Sequence, residues 1–326
     1  MRRRDFIKVV AGAASTLSVA AQAQPSAIRV VGYLTGGSLE PDPLDVIGFR
    51  QGLNESGYVE GQNVIVEYRW AEGQHDRLPA LAADLVRRQV SVIAAFGTPS
   101  TLAAKAATTI IPIVFAVGVD PVKLGLVASF SRPQANTTGF HVLNVMVTGK
   151  RVELLHQLLP TTAVVALITN PTSSFTEPET RELQDASRSL GLQLQVLNAS
   201  KESEIDTAFV TLAQQGAGAL VVSADVPFIS RRDQFVALAA RHGVPAIYAY
   251  REFVLHGGLM SYGPNLTDMY RQLGGYTGRI LKGKTPAELP VAQLVKVEFI
   301  INLKTAKALG VTFPLPLLGR ADEVIE

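Results

Sequence analysis

The chain has 326 residues, of which 47% are hydrophobic and 18% are charged, and it contains no cysteine. This length exceeds what one hydrophobic core usually supports, which predicts two lobes, and the absence of cysteine excludes disulfides, thiolate metal sites and cysteine nucleophiles. The formal net charge of +2 arises in the first eight residues, which hold four basic side chains and one acidic one, so no basic surface for nucleic acid is predicted.

Residues 1–23 have the pattern of an export signal. The adjacent Arg3 and Arg4 precede a moderately apolar stretch over 9–20, and Ala-Gln-Ala at 21–23 follows as a small-x-small cleavage site. The pattern resembles a twin-arginine signal peptide, with a plain Sec signal or an uncleaved anchor as alternatives. We therefore expect a periplasmic protein, and the absence of cysteine after the cleavage site excludes a lipid anchor.

The first half of the chain alternates strand and helix patterns. Short apolar runs predict buried strands at "AIRVVGYL" and "VSVIAAFG", and "NVIVEYRW" predicts a half-exposed strand between them. Apolar residues at helical spacing in "DVIGFRQGLNESGY" and "DRLPALAADLVRRQ" predict helices, and an alanine-rich helix is predicted after Phe96. A further strand, "IPIVFAVGVDP", ends in a turn.

The second half repeats this order. The predicted strands are "TAVVALITNP", "QLQVLNA", "AGALVVSADVPF" and "VPAIYAY", and the predicted helices are "PETRELQDASRSLGL", "EIDTAFVTLAQQG" and "ISRRDQFVALAARHG". Alternating strands and helices favour parallel sheets with right-handed crossovers, so we predict an α/β protein with two doubly wound parallel-sheet lobes. Ligands of such sheets bind at the carboxyl ends of the strands, which places a site in the cleft between the lobes.

The turn from Gly97 to Thr101 lies at one of these strand ends. It lacks the Gly-Lys-Ser/Thr of a phosphate loop and the Gly-x-Ser-x-Gly of a nucleophile elbow. A helix N-terminus that carries the hydroxyls of Thr98 and Ser100 around Pro99 suits an anion such as a carboxylate. The alternative is that Thr98 or Ser100 simply caps the helix.

Polar residues also follow other predicted strands. Asp225, in "SADVPF", is a candidate for binding a cation such as an ammonium group, and Asp120 is a candidate for the same role. Asn170 and Ser173, in "TNPTSSF", are candidate hydrogen-bonding residues. For the two aspartates, the alternative is a helix cap or a turn.

Histidines and aromatic residues complete the candidates. The five histidines are scattered without metal-ligand spacing, and only His141, near the presumed crossover between the lobes, is a candidate for a role. Tyr33 and Tyr248, with Phe115 and Tyr250, lie at or near strand ends, where they either stack on a ligand ring or belong to the core. No dinucleotide glycine fingerprint follows the first strand, so neither a cofactor nor a metal is expected.

Three long stretches resemble one family. These are "FGTPSTLAAKAATTIIPIVFAVGVDPVKLGLVASFSRP", "AYREFVLHGGLMSYGPNLTDMYRQLGGYTGRILKGKTPAELPV" and "INLKTAKALGVTFPLPLLGRADEVIE". They resemble ABC-transporter substrate-binding proteins of the tryptophan/tyrosine-uptake type, over nearly the whole mature chain. The resemblance implies the type I periplasmic-binding-protein fold, a carboxylate cup at Thr98–Ser100 and a polar anchor at Asp225. One departure is Gln134-Ala135, where the family usually has Gly-Gly.

The same resemblance implies how the two lobes divide the chain. Two lobes joined by a three-stranded hinge place lobe one at 27–142 plus 266–282. Lobe two is then expected at 143–262 plus 291–326.

The predicted function is that of a periplasmic solute receptor of an ABC importer. It is expected to be a monomer without enzymatic activity that captures a small carboxylate, such as an aromatic or other amino acid, and delivers it to an inner-membrane permease. Two alternatives stay open. One is a ligand-sensing subunit for a membrane receptor, and the other is an exported enzyme, which needs a base such as His141.

Overall fold

The structure is a computed structural model that describes residues 28–38, 44–142, 145–173, 175–294 and 296–326. The predicted export signal at residues 1–23 lies outside these ranges. Among the helices within them, none is long and apolar enough to cross a membrane.

The first lobe alternates strands with helices, as its sequence pattern predicts. Its elements in chain order are β1 (Arg29–Thr35), α1 (Leu44–Glu55), β2 (Val64–Trp70), α2 (Leu78–Arg87), β3 (Val92–Phe96), α3 (Thr98–Ala107), β4 (Ile113–Val117) and β5 (Thr137–Val142). A short 3-10 helix, His75–Arg77, precedes α2.

The second lobe has the same alternation. Its elements are α4 (Thr148–Leu158), β6 (Val164–Thr169), α5 (Thr176–Ser189), β7 (Gln193–Asn198), α6 (Glu202–Gln214), β8 (Ala219–Val222), α7 (Val226–Ile229), α8 (Arg232–Arg241), β9 (Ala246–Tyr248), α9 (Arg251–Leu255) and β10 (Met260–Pro264).

The last part of the chain contributes to both lobes. It consists of α10 (Leu266–Leu281), a 3-10 helix at Pro286–Glu288, β11 (Ala292–Leu294), β12 (Val297–Asn302), α11 (Leu303–Ala308), α12 (Leu315–Leu318) and β13 (Glu323–Ile325). Helix α10 packs on α1 of lobe one. The chain therefore passes between the lobes three times, after β5, after β10 and after β11.

The two sheets share one topology. The strand order is β11-β5-β4-β3-β1-β2 in lobe one and β13-β12-β10-β9-β8-β6-β7 in lobe two. Without the strands added by the C-terminal part, both orders reduce to fifth-fourth-third-first-second, which is the structural form of the repeat seen in the sequence. The pairs are parallel except β10 with β12. In each lobe the order reverses between the first and third strands, so the switch points lie at β1/β3 and β6/β8.

Each sheet buries both faces. In lobe one, α1 and α10 cover a face that includes Tyr33 and Phe96, while α2 and α3 cover the opposite face with Leu34 and Ala95. The first of these clusters continues without interruption into lobe two, where it includes Phe228 and Tyr250. The apolar core therefore runs through the boundary between the lobes.

Strand β11 belongs to a different lobe from the one predicted. Strand β11 pairs with β5, so residues 292–294 belong to the sheet of lobe one, whereas we predicted that lobe two resumes at 291. Pairing along a sheet edge cannot be read from a three-residue strand.

Gln134 and Ala135 have φ values of 60° and 51°, in the left-handed region that favours glycine. The residues that replace the family's usual Gly-Gly thus keep a backbone conformation suited to glycine.

Candidate functional site

The carboxyl ends of strands from both lobes enclose a small, nearly filled cavity, which we call the interlobe cavity. It is lined by Phe96, Gly97, Ala116, Gly118, Val142, Leu266 and Met269 of lobe one and by Phe175 and Tyr250 of lobe two. Its walls are mainly apolar and aromatic. Only about 10 Å³ of it is free, roughly the room that one water molecule needs. Pockets for small ligands start at about 300 Å³, so a ligand can enter this cavity only when the lobes open.

The lobes touch at Gly118 and Phe175. A Cβ atom added at Gly118 would lie 2.3 Å from Cε1 of Phe175, well inside van der Waals contact. Phe175 is held next to α5, and its main-chain N–H donates to Oγ of Ser173 at 3.3 Å. Ser173 is thus placed as a turn residue that positions an aromatic wall of the cavity.

Helix α3 begins at the wall of this cavity. Its N-cap is Gly97, with φ of 86° and no side-chain capping bond, so neither Thr98 nor Ser100 acts as the cap. Both residues are buried, at 0% and 1% exposure. Their hydroxyl oxygens have no hydrogen-bond partner among the described residues. By contrast, Oγ1 of Thr101 donates to the carbonyl of Gly97 at 2.9 Å.

These two hydroxyls are what an anion site requires. A buried hydroxyl without a partner costs free energy, on the order of 1–3 kcal/mol, which a ligand oxygen would recover. The first turn of α3 adds the positive end of the helix dipole. Pro99 lies between the two hydroxyls and suits the first turn because it has no N–H to leave unpaired.

The equivalent switch point in lobe two joins Asn170 to Asp225. Nδ2 of Asn170 donates to Oδ2 of Asp225 at 2.7 Å, and both side chains are buried. Oδ1 of Asn170 in turn accepts from Oγ1 of Thr172 at 2.9 Å. Two residues predicted separately from the sequence are thus one hydrogen-bonded pair across β6 and β8.

A buried ion pair supports this strand end from behind. Nη1 of Arg151 lies 3.2 Å from Oε1 of Glu179, with both side chains essentially inaccessible to water. Burial raises the pKa of Glu179, and the guanidinium of Arg151 opposes that shift. Glu179 also accepts from the hydroxyl of Ser223 and from the main-chain N–H of Ala224. The pair therefore fixes the turn that carries Asp225.

Apart from Tyr250, no residue predicted for the site is among those that line the cavity, and three of the predicted residues have other roles. Tyr33 is fully buried, donates from its hydroxyl to Oδ2 of Asp45 at 3.0 Å, and has its pKa raised by burial and by that carboxylate. Tyr248 stacks on Phe253, with ring centroids 4.6 Å apart, inside lobe two. Oδ1 of Asp120 accepts from the main-chain N–H of Val122 at 2.8 Å. This bond belongs to a turn, which was the alternative to a ligand-binding role for Asp120.

His141 points to the far face of its sheet. Its neighbour Val142 lines the cavity, and successive strand residues point to opposite faces. The imidazole ring lies 5.7 Å from Phe130, and its pKa is lowered by burial, which the charge of Asp120 opposes. This placement gives the enzyme alternative no support.

Sequence reasoning missed several residues of this region. Phe96, Phe175 and Met269 line the cavity, and Tyr250, named only among the lone aromatics, lines it too. Glu252 is 4% exposed, and neither carboxyl oxygen has a hydrogen-bond partner from another described residue. A short helix after a strand carried no signal that this glutamate is buried.

A phosphate-loop spacing does occur elsewhere in the chain, as "GRILKGKT" at residues 278–285. Its first half is the last turn of α10, and a Cβ atom at Gly278 would lie 2.3 Å from Cβ of Ser56. A phosphate loop instead joins a strand to the start of a helix. This stretch is a helix end packed on α1, with no phosphate cradle.

Known proteins that are similar to this chain identify its family. A sequence model of the family described as ABC transporter substrate binding protein matches residues 30–325. The chain belongs to this family. Its predicted family resemblance is therefore confirmed, and this member of the family is a substrate-binding protein of the ABC transporter class.

Relatives of this family member are known in sequence and structure. A curated tyrosine-binding protein of Clostridioides difficile (strain R20291) is 28% identical over 262 residues, covering 80% of this chain and 75% of the relative. A conserved domain protein from Vibrio cholerae superposes with a TM-score of 0.82 at 26% identity, covering 91% of this chain and 99% of the other. An ABC domain from Streptococcus pneumoniae in complex with L-Trp gives a TM-score of 0.82 at 24% identity, with the same coverage. The two α/β lobes with mostly parallel sheets match these proteins, which confirms the predicted fold class.

Proposed function

We propose that this protein is the periplasmic receptor of an ABC importer and captures a small carboxylate, with an aromatic amino acid as the best-supported ligand. The carboxylate is received at the start of α3, and the side chain is received by the aromatic wall of the interlobe cavity. Membership of the family supports delivery to an inner-membrane permease, and the export pattern of residues 1–23 supports the location.

The observation that carries this proposal is that the hydroxyls of Thr98 and Ser100 have no hydrogen-bond partner among the residues that the structure describes. They are buried at the start of a ten-residue helix, directly after a glycine that lines the cavity. Hydrogen bonds to a charged ligand contribute more than neutral ones, about 1.5–3 kcal/mol each. A carboxylate is the ligand group that uses both hydroxyls together with the helix dipole.

The lining of the cavity and the relatives support an aromatic ligand. Phe96, Phe175 and Tyr250 provide aromatic faces from both lobes. Ring-on-ring contacts add about 0.5–1.5 kcal/mol beyond the burial of area. A tyrosine-binding protein and a protein solved with L-Trp are both among the relatives.

The test is titration calorimetry of the mature protein with L-Trp, L-Tyr, L-Phe and a sugar. In the double variant Thr98→Val with Ser100→Ala, we expect affinity for the bound amino acid to fall by at least about tenfold, because two hydrogen bonds to a charged group are lost. The stability of the ligand-free protein should stay equal or rise, because the deleted hydroxyls bond to none of the described residues.

Thr101→Val is the matched control. It removes a buried hydroxyl from the same turn, but that hydroxyl already bonds the carbonyl of Gly97. We expect its ligand affinity to stay within about twofold of wild type, since no ligand hydrogen bond is lost. Unchanged affinity in the double variant would reject the carboxylate cup, and binding of the sugar alone would reject the ligand class.

A further inference from the structure

Glu252 is a buried carboxyl group that the fold leaves without a hydrogen-bond partner from another described residue. Its side chain is 4% exposed, and both oxygens lack such a partner. Burying a carboxylate without a partner is costly, so such a group is normally neutral or paired with a cation. Burial indeed raises its pKa to about 7, while its own main-chain N–H and the guanidinium groups of Arg251 and Arg232 oppose the shift.

Its position is at the boundary between the lobes. Glu252 lies in α9, two residues after the cavity-lining Tyr250. Tyr270, on α10 of lobe one, has its pKa raised by burial and further by the charges of Asp45, Tyr250 and Glu252. The carboxyl group is therefore electrostatically coupled to the opposite lobe.

The neighbouring charged groups are already engaged. Arg251 bonds Glu298 at 2.9 Å, and Glu298 also accepts from Asn265 at 2.9 Å. Nε of Arg232 donates to His256 at 3.1 Å. The charges that act on Glu252 are those of Arg251 on α9, Arg232 on α8 and Glu298 on β12, and Glu252 in turn acts on Tyr270 of α10. Strands β9 and β10, which pack on α9, also carry Tyr248 and Tyr262.

We propose that Glu252 receives the ammonium group of the ligand, so that the receptor selects amino acids over carboxylic acids that lack the amine. This inference rests on the proposed function. Asp225, predicted from the sequence for this task, already accepts a hydrogen bond from Asn170 at 2.7 Å. Both carboxyl oxygens of Glu252 can accept hydrogen bonds from the ammonium group. The hydroxyls of Thr98 and Ser100 in lobe one then bind the carboxylate, so that each lobe binds one charged group of the amino acid.

A proton should accompany this binding. The ammonium group stabilises the charged carboxylate and lowers its pKa, so a carboxyl group that is partly protonated before binding loses its proton on binding. Affinity for an amino acid should therefore rise with pH, roughly tenfold between about pH 6 and about pH 8. A ligand without an amine should not show this rise.

The experiment compares L-Trp with 3-(indol-3-yl)propionate, its analogue without the amine, by titration calorimetry. In Glu252→Gln we expect affinity for L-Trp to fall by at least about tenfold, while affinity for the analogue stays within about twofold, because only the amine contact is lost. At about pH 7, repeating the wild-type titration in buffers of different ionisation enthalpy should show release of roughly half a proton, absent in the variant.

Glu298→Gln is the matched control, since it removes a partly buried carboxylate next to α9 that already bonds Arg251 and Asn265. It should keep the wild-type preference for the amine. The inference is overturned if Glu252→Gln keeps that preference, or if Asp225→Asn abolishes it instead. If Glu252→Gln does not fold, the test is the release of a proton when the wild-type protein binds L-Trp. Binding of L-Trp without proton release would also overturn the inference. If the wild type binds neither compound but binds a sugar, the proposed function itself fails.

Discussion

Glu252 makes the stability of the ligand-free protein depend on pH. Its pKa is about 7 in the folded state, against an ordinary value of 4.5, so the folded state binds the proton more tightly. A raised carboxyl pKa contributes stability that is present below about pH 4.5 and is lost as pH rises to about 7. The loss is at most roughly 3 kcal/mol, from 1.36 kcal/mol per pKa unit.

We expect this loss to disappear in Glu252→Gln, whose carboxamide does not titrate. Urea denaturation of both proteins across this pH range measures it. The difference in free energy of unfolding between wild type and variant should fall as pH rises, because only the wild type must ionise a buried group. A difference independent of pH would mean that the carboxyl group is solvated in the folded protein.

At the residue scale, the sequence predicts a site where residue chemistry and position along the fold agree. Thr98 and Ser100 are predicted because hydroxyls follow a buried strand at a helix start, and within the described part of the chain neither hydroxyl has a hydrogen-bond partner. Their ligand role stays a prediction. Tyr248 and Tyr250 could not be told apart, because which ring faces the cavity depends on the end of β9 and on the packing of α9.

Helices α1 and α10 approach closely because glycines line their contact. A Cβ atom at Gly52 would lie 1.8 Å from the main-chain oxygen of Arg271, and one at Gly274 would lie 2.1 Å from that of Phe49. Main-chain atoms in paired helices cannot move aside as a side-chain end can. The contact holds α10, which carries Leu266 and Met269 to the interlobe cavity, against lobe one.

Gly52→Ala should therefore destabilise the protein by about 2–3 kcal/mol through overpacking. Chemical denaturation measures this change. Gly275→Ala on the partner helix α10 is the control, because its added methyl group meets nothing within 4 Å. There we expect no loss, or a gain of up to about 1 kcal/mol from better helix propensity. Equal effects of the two substitutions would contradict close helix packing as the cause.

Closure of the two lobes depends on the absence of a side chain at Gly118. The added Cβ atom would approach Cε1 and Cζ of Phe175 at 2.3 and 2.7 Å. These residues belong to different lobes, and both line the interlobe cavity. A methyl group there opposes the closed arrangement but leaves each lobe unchanged.

We expect Gly118→Ala to lower affinity for the bound amino acid by about tenfold, because closure then carries a cost on the order of 1.4 kcal/mol. Calorimetry gives the affinity, and thermal unfolding without ligand should change little. Adding Phe175→Leu should recover part of the affinity, since the smaller side chain leaves room for the methyl group. A loss of ligand-free stability as large as the loss of binding would place the clash within one lobe.

The sequence by itself determined the two α/β lobes and their repeated order of elements, and it predicted a site at the strand ends. These depend on apolar periodicity and on turn residues, which are local properties of the chain. Only the tertiary structure decided that β11 joins lobe one, that Gly118 meets Phe175 and that Glu252 is buried with no hydrogen-bond partner from another described residue. Each of these depends on contacts between segments far apart in the chain, and burial and pairing arise only once such segments pack together.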